Sequence, residues 1–150
     1  MTQEQKDLLL RDFCTRLPYR VKAYVKNWSK LDRKYYEGVY TVASIHPSLN
    51  NILVYSERFS VEVLVGYDDY KIKPYLFPLS SMTDVQKNSF PFSYSFLEAL
   101  IDDGVYFDED ECITLNDMIY VIQWCYKNHF DIHGLIPKGL AIDATGLNIY

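Results

Sequence analysis

Glycine is scarce and scattered. Six glycines occur singly along 150 residues, so there is no phosphate-cradling loop, no dinucleotide fingerprint and no nucleophile elbow around a serine. Cysteine is scarcer still. Cys14, Cys112 and Cys125 are too few and too far apart for a disulfide framework or a zinc site, and they read as reduced thiols of a cytoplasmic protein. No apolar run approaches the ~18 residues that cross a bilayer. The opening MTQEQKDLLLRD lacks the basic start and apolar stretch of a secretory signal. Repeats and low-complexity tracts are missing too. These absences argue against a membrane protein and leave little support for a cofactor-dependent enzyme.

What is present describes an ordinary globular chain. The hydrophobic share is 49% and the charged share 23%, enough for a single domain over residues 1–150 with a real core. Tyrosine is plentiful at 14 residues. Its ring packs while its hydroxyl stays wet, which suits core edges and partner-binding surfaces. Charge is uneven. Residues 1–36 carry nine Lys/Arg against four Asp/Glu, whereas residues 37–150 carry six against sixteen. A basic opening and an acidic remainder either attract each other or face different partners.

The pattern changes at Lys71–Thr83, KIKPYLFPLSSMT. Pro74 and Pro78 lack N–H donors and push Lys73 and Phe77 toward extended geometry. Tyr75, Phe77 and Leu79 then point one way and Leu76 the other, as in a strap crossing between two layers. Thr83 and Gln86 have capping-box spacing for a helix beyond it.

Before the strap the chain reads as one helix and then short strands. Leu9, Phe13 and Leu17, with Leu10 and Cys14, make an apolar stripe on a helix over Gln3–Leu17 that Pro18 stops. Strict alternation marks a strand over Arg20–Trp28, with Val21, Ala23 and Val25 inward and Arg20, Lys22, Tyr24, Lys26 and Trp28 outward. Further strands fall at Tyr36–Ile45, Ile52–Ser56 and Phe59–Gly66, with a short one at Tyr70–Ile72. His46–Asn51 has turn chemistry. After the strap come helices. One runs from Ser93 or Ser95 to about Asp103, closed by Gly104. A second runs over Leu115–Asn128, started by Thr114 and Asp117, with Leu115, Met118, Ile119, Ile122 and Tyr126 as its inward stripe and Cys125 nearby. An edge strand at Val105–Phe107 and a short strand near Gly139–Ile142 complete the reading. The expected fold is α+β: an N-terminal helix, a small antiparallel sheet or partly open barrel of four or five strands, a Pro-rich crossing segment and two main C-terminal helices.

Three segments, MTQEQKDLLLRDFCTRLPYRVK, KPYLFPLSSMT and NHFDIHGLIPKGLAIDA, resemble an uncharacterised family of small proteins of gut Bacteroidales and their phages or integrated elements. They span roughly a third of the chain at matching relative positions. The stretch from Asn27 to Tyr70 departs from that pattern. The resemblance implies no activity, ligand or catalytic residue. It does imply an accessory protein of a mobile element.

Four groups of residues carry candidate chemistry. His129, Asp131 and His133 are the one close set of metal-ligand types, although two histidines and one carboxylate fall short of a full ligand set. The competing reading is a helix exit, with His129 near the last carbonyls and Asp131 in a local turn. The acidic run Asp108–Glu111 lacks the spacing of a calcium loop and reads as solvated. Arg20, Lys22, Tyr24, Lys26 and Trp28 form a basic, aromatic strand face. Such a face suits a protein partner, or phosphates and stacked bases, although the net charge of −5 weighs against nucleic acid. Cys14 and Cys125 fall on helix faces that look buried, where thiols are inert. The expected function is therefore a non-catalytic protein-binding or accessory module, with a nucleic-acid-binding module and a small enzyme with a site near His129 as alternatives. No cofactor is expected, and the oligomeric state stays open.

Overall fold

A computed structural model of the chain describes residues 1–29, 33–46, 51–56, 61–66, 71–102 and 113–150. The acidic run Asp108–Glu111, the strand expected at Val105–Phe107, the stop at Gly104 and the centre of the turn at His46–Asn51 lie outside the described residues. So do Cys112 and the resumption of a strand at Tyr70.

The first helix, α1 (Gln3–Arg16), opens on a capping box: Thr2 accepts from the Gln5 amide, and the Gln5 side chain accepts from the Thr2 amide. Pro18 diverts the chain into a tight turn, Leu17–Tyr19, that ends with Arg20 in the left-handed region at φ 55°. Five strands follow: β1 (Lys22–Ser29), β2 (Lys34–His46), β3 (Asn51–Ser56), β4 (Val61–Gly66) and β5 (Ile72–Leu76). All pair antiparallel. A two-residue strand, β6 (Ile142–Asp143), adds in parallel on β5, making a mixed six-stranded sheet in the order β4-β3-β2-β1-β5-β6. The sheet curls enough to bring β4 toward β1, but it is not closed into a barrel. The fold is α+β, and the barrel reading gives way to an open, curled sheet.

The alternation read from β1 holds: Val21, Ala23 and Val25 are fully buried. In β2 the inward set is Tyr40 and Val42 and then Ile45, which packs against the same core. The register slips between Val42 and Ser44, so a bulge at Ala43 shifts the alternation by one. Alternation carried on from Val42 would put Ser44 inward; with the bulge, Ile45 takes that side instead. The concave face of the sheet meets Leu9 and Phe13 of α1.

The crossing strap is itself a strand. Lys26 N–H donates to the Lys71 carbonyl at 2.8 Å. Counting along the antiparallel register, Ala23 and Pro74 oppose each other at a pair that exchanges no hydrogen bonds. Pro74 therefore has no donor to lose on that side, which is why a proline sits between β1 and β6. Further along, Phe77 N–H donates to the His129 carbonyl at 2.9 Å and Asp131 N–H donates to the Phe77 carbonyl at 2.8 Å. The strap feeds three cores in succession: Ile72 the sheet core, Leu76 a cluster with Leu135 and Leu140, and Phe77, Leu79 and Met82 the helical core. This is the physical link between strand half and helix half.

The helical half comprises α2 (Asp84–Asn88), α3 (Tyr94–Ile101) and α4 (Leu115–Lys127). Thr83 with Gln86 and Thr114 with Asp117 form the expected capping boxes, and Ser93 caps α3. The core here is aromatic: Trp124 stacks on Phe130 at 5.6 Å, and Phe90 meets Trp124 edge-on at 5.4 Å.

Two expected faces turn out differently. In α1 the buried set is Leu9, Asp12, Phe13 and Arg16, while Cys14 is exposed. The stripe centres on Leu9 and Phe13, and Cys14 lies about 100° round the helix from Phe13. In α4 the expected inward stripe Leu115, Met118, Ile119 and Ile122 is exposed, and Val121, Cys125 and Tyr126 are buried. Apolar side chains surround this helix, so periodicity offers more than one stripe. Packing of Trp124 and Cys125 with Phe90 and Phe130 selects the other.

Candidate functional site

The helix exit at the end of α4 builds the most polar part of the interior. Phe130 N–H donates to the Cys125 carbonyl and His129 N–H to the Tyr126 carbonyl, at 2.9 and 3.1 Å. This is a Schellman closure with His129 in the left-handed position, φ 60°. Glycine is the usual occupant there; a β-carbon costs on the order of 1 kcal/mol. The imidazole that bears this cost is buried and stacks on the Tyr150 ring at 3.8 Å with 12° between planes. Burial, with the nearby Arg16 and Lys22 charges, holds the His129 pKa down to about 4.

Beneath this exit lies a buried ion pair. Arg16 and Asp12 are both fully buried, one turn apart on α1, with Nε donating to Oδ2 at 2.8 Å. Arg16 Nη2 donates to the Phe130 carbonyl at 2.7 Å, and the guanidinium lies 4.9 Å from the Tyr126 ring centroid. Among the described residues Asp12 Oδ1, Arg16 Nη1 and His129 Nδ1 are buried without a hydrogen-bond partner. Only one oxygen of Asp12 is bonded, so desolvation outweighs Arg16 and raises the carboxyl above its ordinary value. A buried pair of this kind orients elements more than it stabilises them. Here it ties α1 to the exit of α4.

His129, Asp131 and His133 do not converge. His129 turns onto Tyr150. Asp131 spends both oxygens on the Leu135 and Ile136 amides, at 2.8 and 2.7 Å. His133 Nε2 meets the Tyr126 hydroxyl at 2.8 Å. Among the described residues no three His, Cys, Asp or Glu side chains are grouped to hold a metal ion. The helix-exit reading describes this segment: a left-handed closure, then an aspartate-stabilised turn. A cavity of about 520 Å³ opens beside it between Leu79, Leu100, Asp131, His133, Ile136 and Lys138. Its polar groups are largely engaged internally: Lys138 Nζ donates to the His133 carbonyl at 2.8 Å, and Asp131 and His133 are bonded as described. Cys125 is buried, and its thiol is pushed up to about 12 by desolvation, so no thiolate is available there at neutral pH.

The strand-face candidates separate. Arg20 leaves the set, because its left-handed turn precedes β1. The Lys22 ammonium donates to the Ile149 carbonyl at 2.7 Å and stands 5.9 Å from the Tyr150 ring. Tyr24 hydrogen-bonds the Glu37 carboxylate, which pushes its phenol up to about 12. Lys26 is exposed and sits opposite Glu37 in register. Trp28 faces Tyr35 across the β1–β2 pair; they are 55% and 50% exposed, with Val39 also exposed on β2. The face is therefore an open aromatic pair at one end, Lys26 opposite Glu37 in the middle, and an occupied Lys22 at the other.

Sequence reading missed three participants. Asp12 and Arg16 differ by four residues and lie on the same helix face as Leu9 and Phe13, which was the available signal. Tyr150 carried none; its role depends on where the closing segment runs. Compared with protein families, with characterised proteins and with solved structures, the chain matches none.

No helix among the described residues is long and apolar enough to cross a membrane.

Proposed function

We propose that this chain is a non-catalytic protein-binding module that recognises its partner through the outer face of the β1–β2 pair. The observation that carries the reading is the Trp28–Tyr35 cross-strand pair: two large aromatic rings held open to solvent on a paired sheet face. Such rings are costly to leave wet and are the residue types that dominate protein interfaces. Val39 adds an exposed apolar side chain on the same face, beyond the opposed charges of Lys26 and Glu37 in its middle.

Glu37 favours a protein over a nucleic acid. Its carboxylate lies in the middle of the face, opposite Lys26, where a phosphate backbone would meet repulsion. The accessory role in a mobile element rests on the resemblance of three sequence segments, and a cytoplasmic setting on the reading of the thiols.

The test compares wild-type protein and a Trp28→Ala/Tyr35→Ala double variant as baits in extract of the source organism. A protein retained by the first and lost by the second supports the reading. Retention of nuclease-sensitive material in its place, with a matching gel shift at low salt, transfers the face to nucleic acid. Identical retention by both baits removes this surface from consideration.

A further inference from the structure

We propose that the slot between β1, β5 and the exit of α4 is a recognition site for a neutral phenol, and that the segment 145–150 is a releasable strap whose own Tyr150 keeps it filled. The slot begins as a gap in the sheet. Continuing the β1–β5 register sets Lys22 opposite Tyr75, and the alternation that runs from Lys26 and Lys71 makes this a pair that exchanges hydrogen bonds. The ladder stops one pair short, at Ala23 and Pro74. Lys22 N–H donates instead to the Tyr150 hydroxyl at 3.1 Å, and that hydroxyl donates to the Tyr75 carbonyl at 2.7 Å. One side-chain oxygen thus stands where a ladder bond belongs. The ring behind it lies against the buried His129 imidazole at 3.8 Å, with the Phe77 ring at 5.9 Å. The Lys22 ammonium stands 5.9 Å from its centre.

These groups define the ligand. An oxygen at that point must accept from one backbone group and donate to another. A neutral phenol does both; a phenolate, an aryl ether or a plain hydrocarbon ring does not. A site that reads a hydroxyl in this way rejects the analogue lacking it, because its own N–H and C=O are then left unpaired. None of the recognising groups belongs to the strap. The amides of Thr145 and Leu147 bond locally, to the Asp143 side chain and the Ala144 carbonyl. Among the described residues the strap's other polar tie to the body is the Ile149 carbonyl, which accepts from the Lys22 ammonium. Gly146 and Asn148 lie in the left-handed region, at φ 74° and 49°, and Leu147 is exposed. A single side chain therefore does most to hold the strap down. A tyrosine of a partner chain, or a free small phenol, offers the slot the same contacts once the strap lifts. The slot lies at the opposite end of β1 from Trp28, so the inference does not depend on what the Trp28–Tyr35 face binds.

Two measurements test it. In the wild-type protein, hydrogen exchange at the Lys22 amide reports strap release, because its acceptor is the Tyr150 hydroxyl. The Val42 amide, bonded to the Val21 carbonyl across β1 and β2, is the reference. Lys22 should show protection at least about tenfold lower than Val42; equal protection overturns the strap. In a Tyr150→Ala variant, p-cresol at up to about 10 mM, a range suited to a ligand of so few atoms, should raise the urea midpoint and move the Lys22 amide resonance. Toluene and 4-methylanisole should do neither. Wild type should need at least about tenfold more p-cresol for the same shift, since its own tyrosine competes. The hexapeptide TGLNIY, with TGLNIF as control, is the other arm: binding tighter than that of p-cresol assigns the slot to a tyrosine of a partner chain, and weaker binding assigns it to a free phenol. A folded Tyr150→Ala chain that is indifferent to p-cresol, or that toluene stabilises equally, overturns the proposal. If that variant does not fold, the wild-type titration decides: a Lys22 amide resonance that p-cresol and 4-methylanisole move equally, or that neither moves, overturns it too.

Discussion

The imidazole of His129 and the phenol ring of Tyr150 lie face to face at 3.8 Å. The contact closes the polar interior described above. Tyr150 accepts from the Lys22 N–H at 3.1 Å and donates to the Tyr75 carbonyl at 2.7 Å. Its hydroxyl is sunk between β1 and β5, and that burial raises the phenol pKa.

Tyr150→Ala is expected to cost about 2 to 3 kcal/mol, combining two hydrogen bonds with the loss of an aromatic stack. Tyr150→Phe retains the stack and should cost ~1 kcal/mol. Urea midpoints measure both. Equal losses for the two variants would mean that the ring contributes nothing.

His129 makes stability pH-dependent. In the unfolded chain it protonates near 6.5; in the fold it is held down to about 4. The unfolded state thus takes the proton first. The histidine's contribution is complete above pH 6.5 and is lost as pH falls toward 4, on the order of 3 kcal/mol across the window. Asp12 works in the opposite sense, since its raised carboxyl favours the fold as pH falls. The comparison of wild type with His129→Phe isolates the imidazole, because Asp12 is common to both. As pH falls from 7.5 through 6 to 4.5, the denaturation midpoint of wild type should fall relative to that of the variant: the two converge if the variant starts out less stable, and diverge if it does not. Parallel curves sink the assignment.

Arg16→Met alone strands the Asp12 carboxylate in the interior and should cost about 3 to 5 kcal/mol. The double variant Asp12→Leu/Arg16→Met removes both charges and should recover most of that loss. Chemical denaturation of the single and double variants completes the cycle. A double variant as unstable as the single one would show that the pair's worth lies elsewhere, for example in the Phe130 carbonyl contact.

The two faces of α4 can be told apart by truncation. Val121→Ala removes buried methyl groups and should lower stability by about 1 to 2 kcal/mol. Leu115→Ala touches an exposed position and should stay within ~0.5 kcal/mol. The reverse order would restore the face that periodicity first suggests.

Much of this architecture was legible from local chemistry. Thr2, Thr83 and Thr114 start helices because a side-chain oxygen can meet an unpaired amide three residues on, a relation complete within four residues. Val21, Ala23 and Val25 disclose their strand because a pleat repeats every two residues. The aromatic outer face of β1 followed from the same alternation, although Arg20 fell away from it when its backbone took a left-handed turn. Pro74 and Pro78 announced an extended strap between strand half and helix half.

The remainder depended on distant neighbours. The pairing of β5 with β1, the bulge at Ala43 and the buried face of α4 each selected one of several arrangements that the local pattern allowed equally. Asp12 and Arg16 are ordinary charged residues of a helix until α1 packs on the exit of α4 and takes both from water. His129 is a plain helix-exit residue until Tyr150 arrives from 21 positions further along. Local sequence determines what can be satisfied within a turn or a pleat. Which surfaces lose water is a property of the packed chain, because desolvation requires atoms that sequence neighbours do not supply.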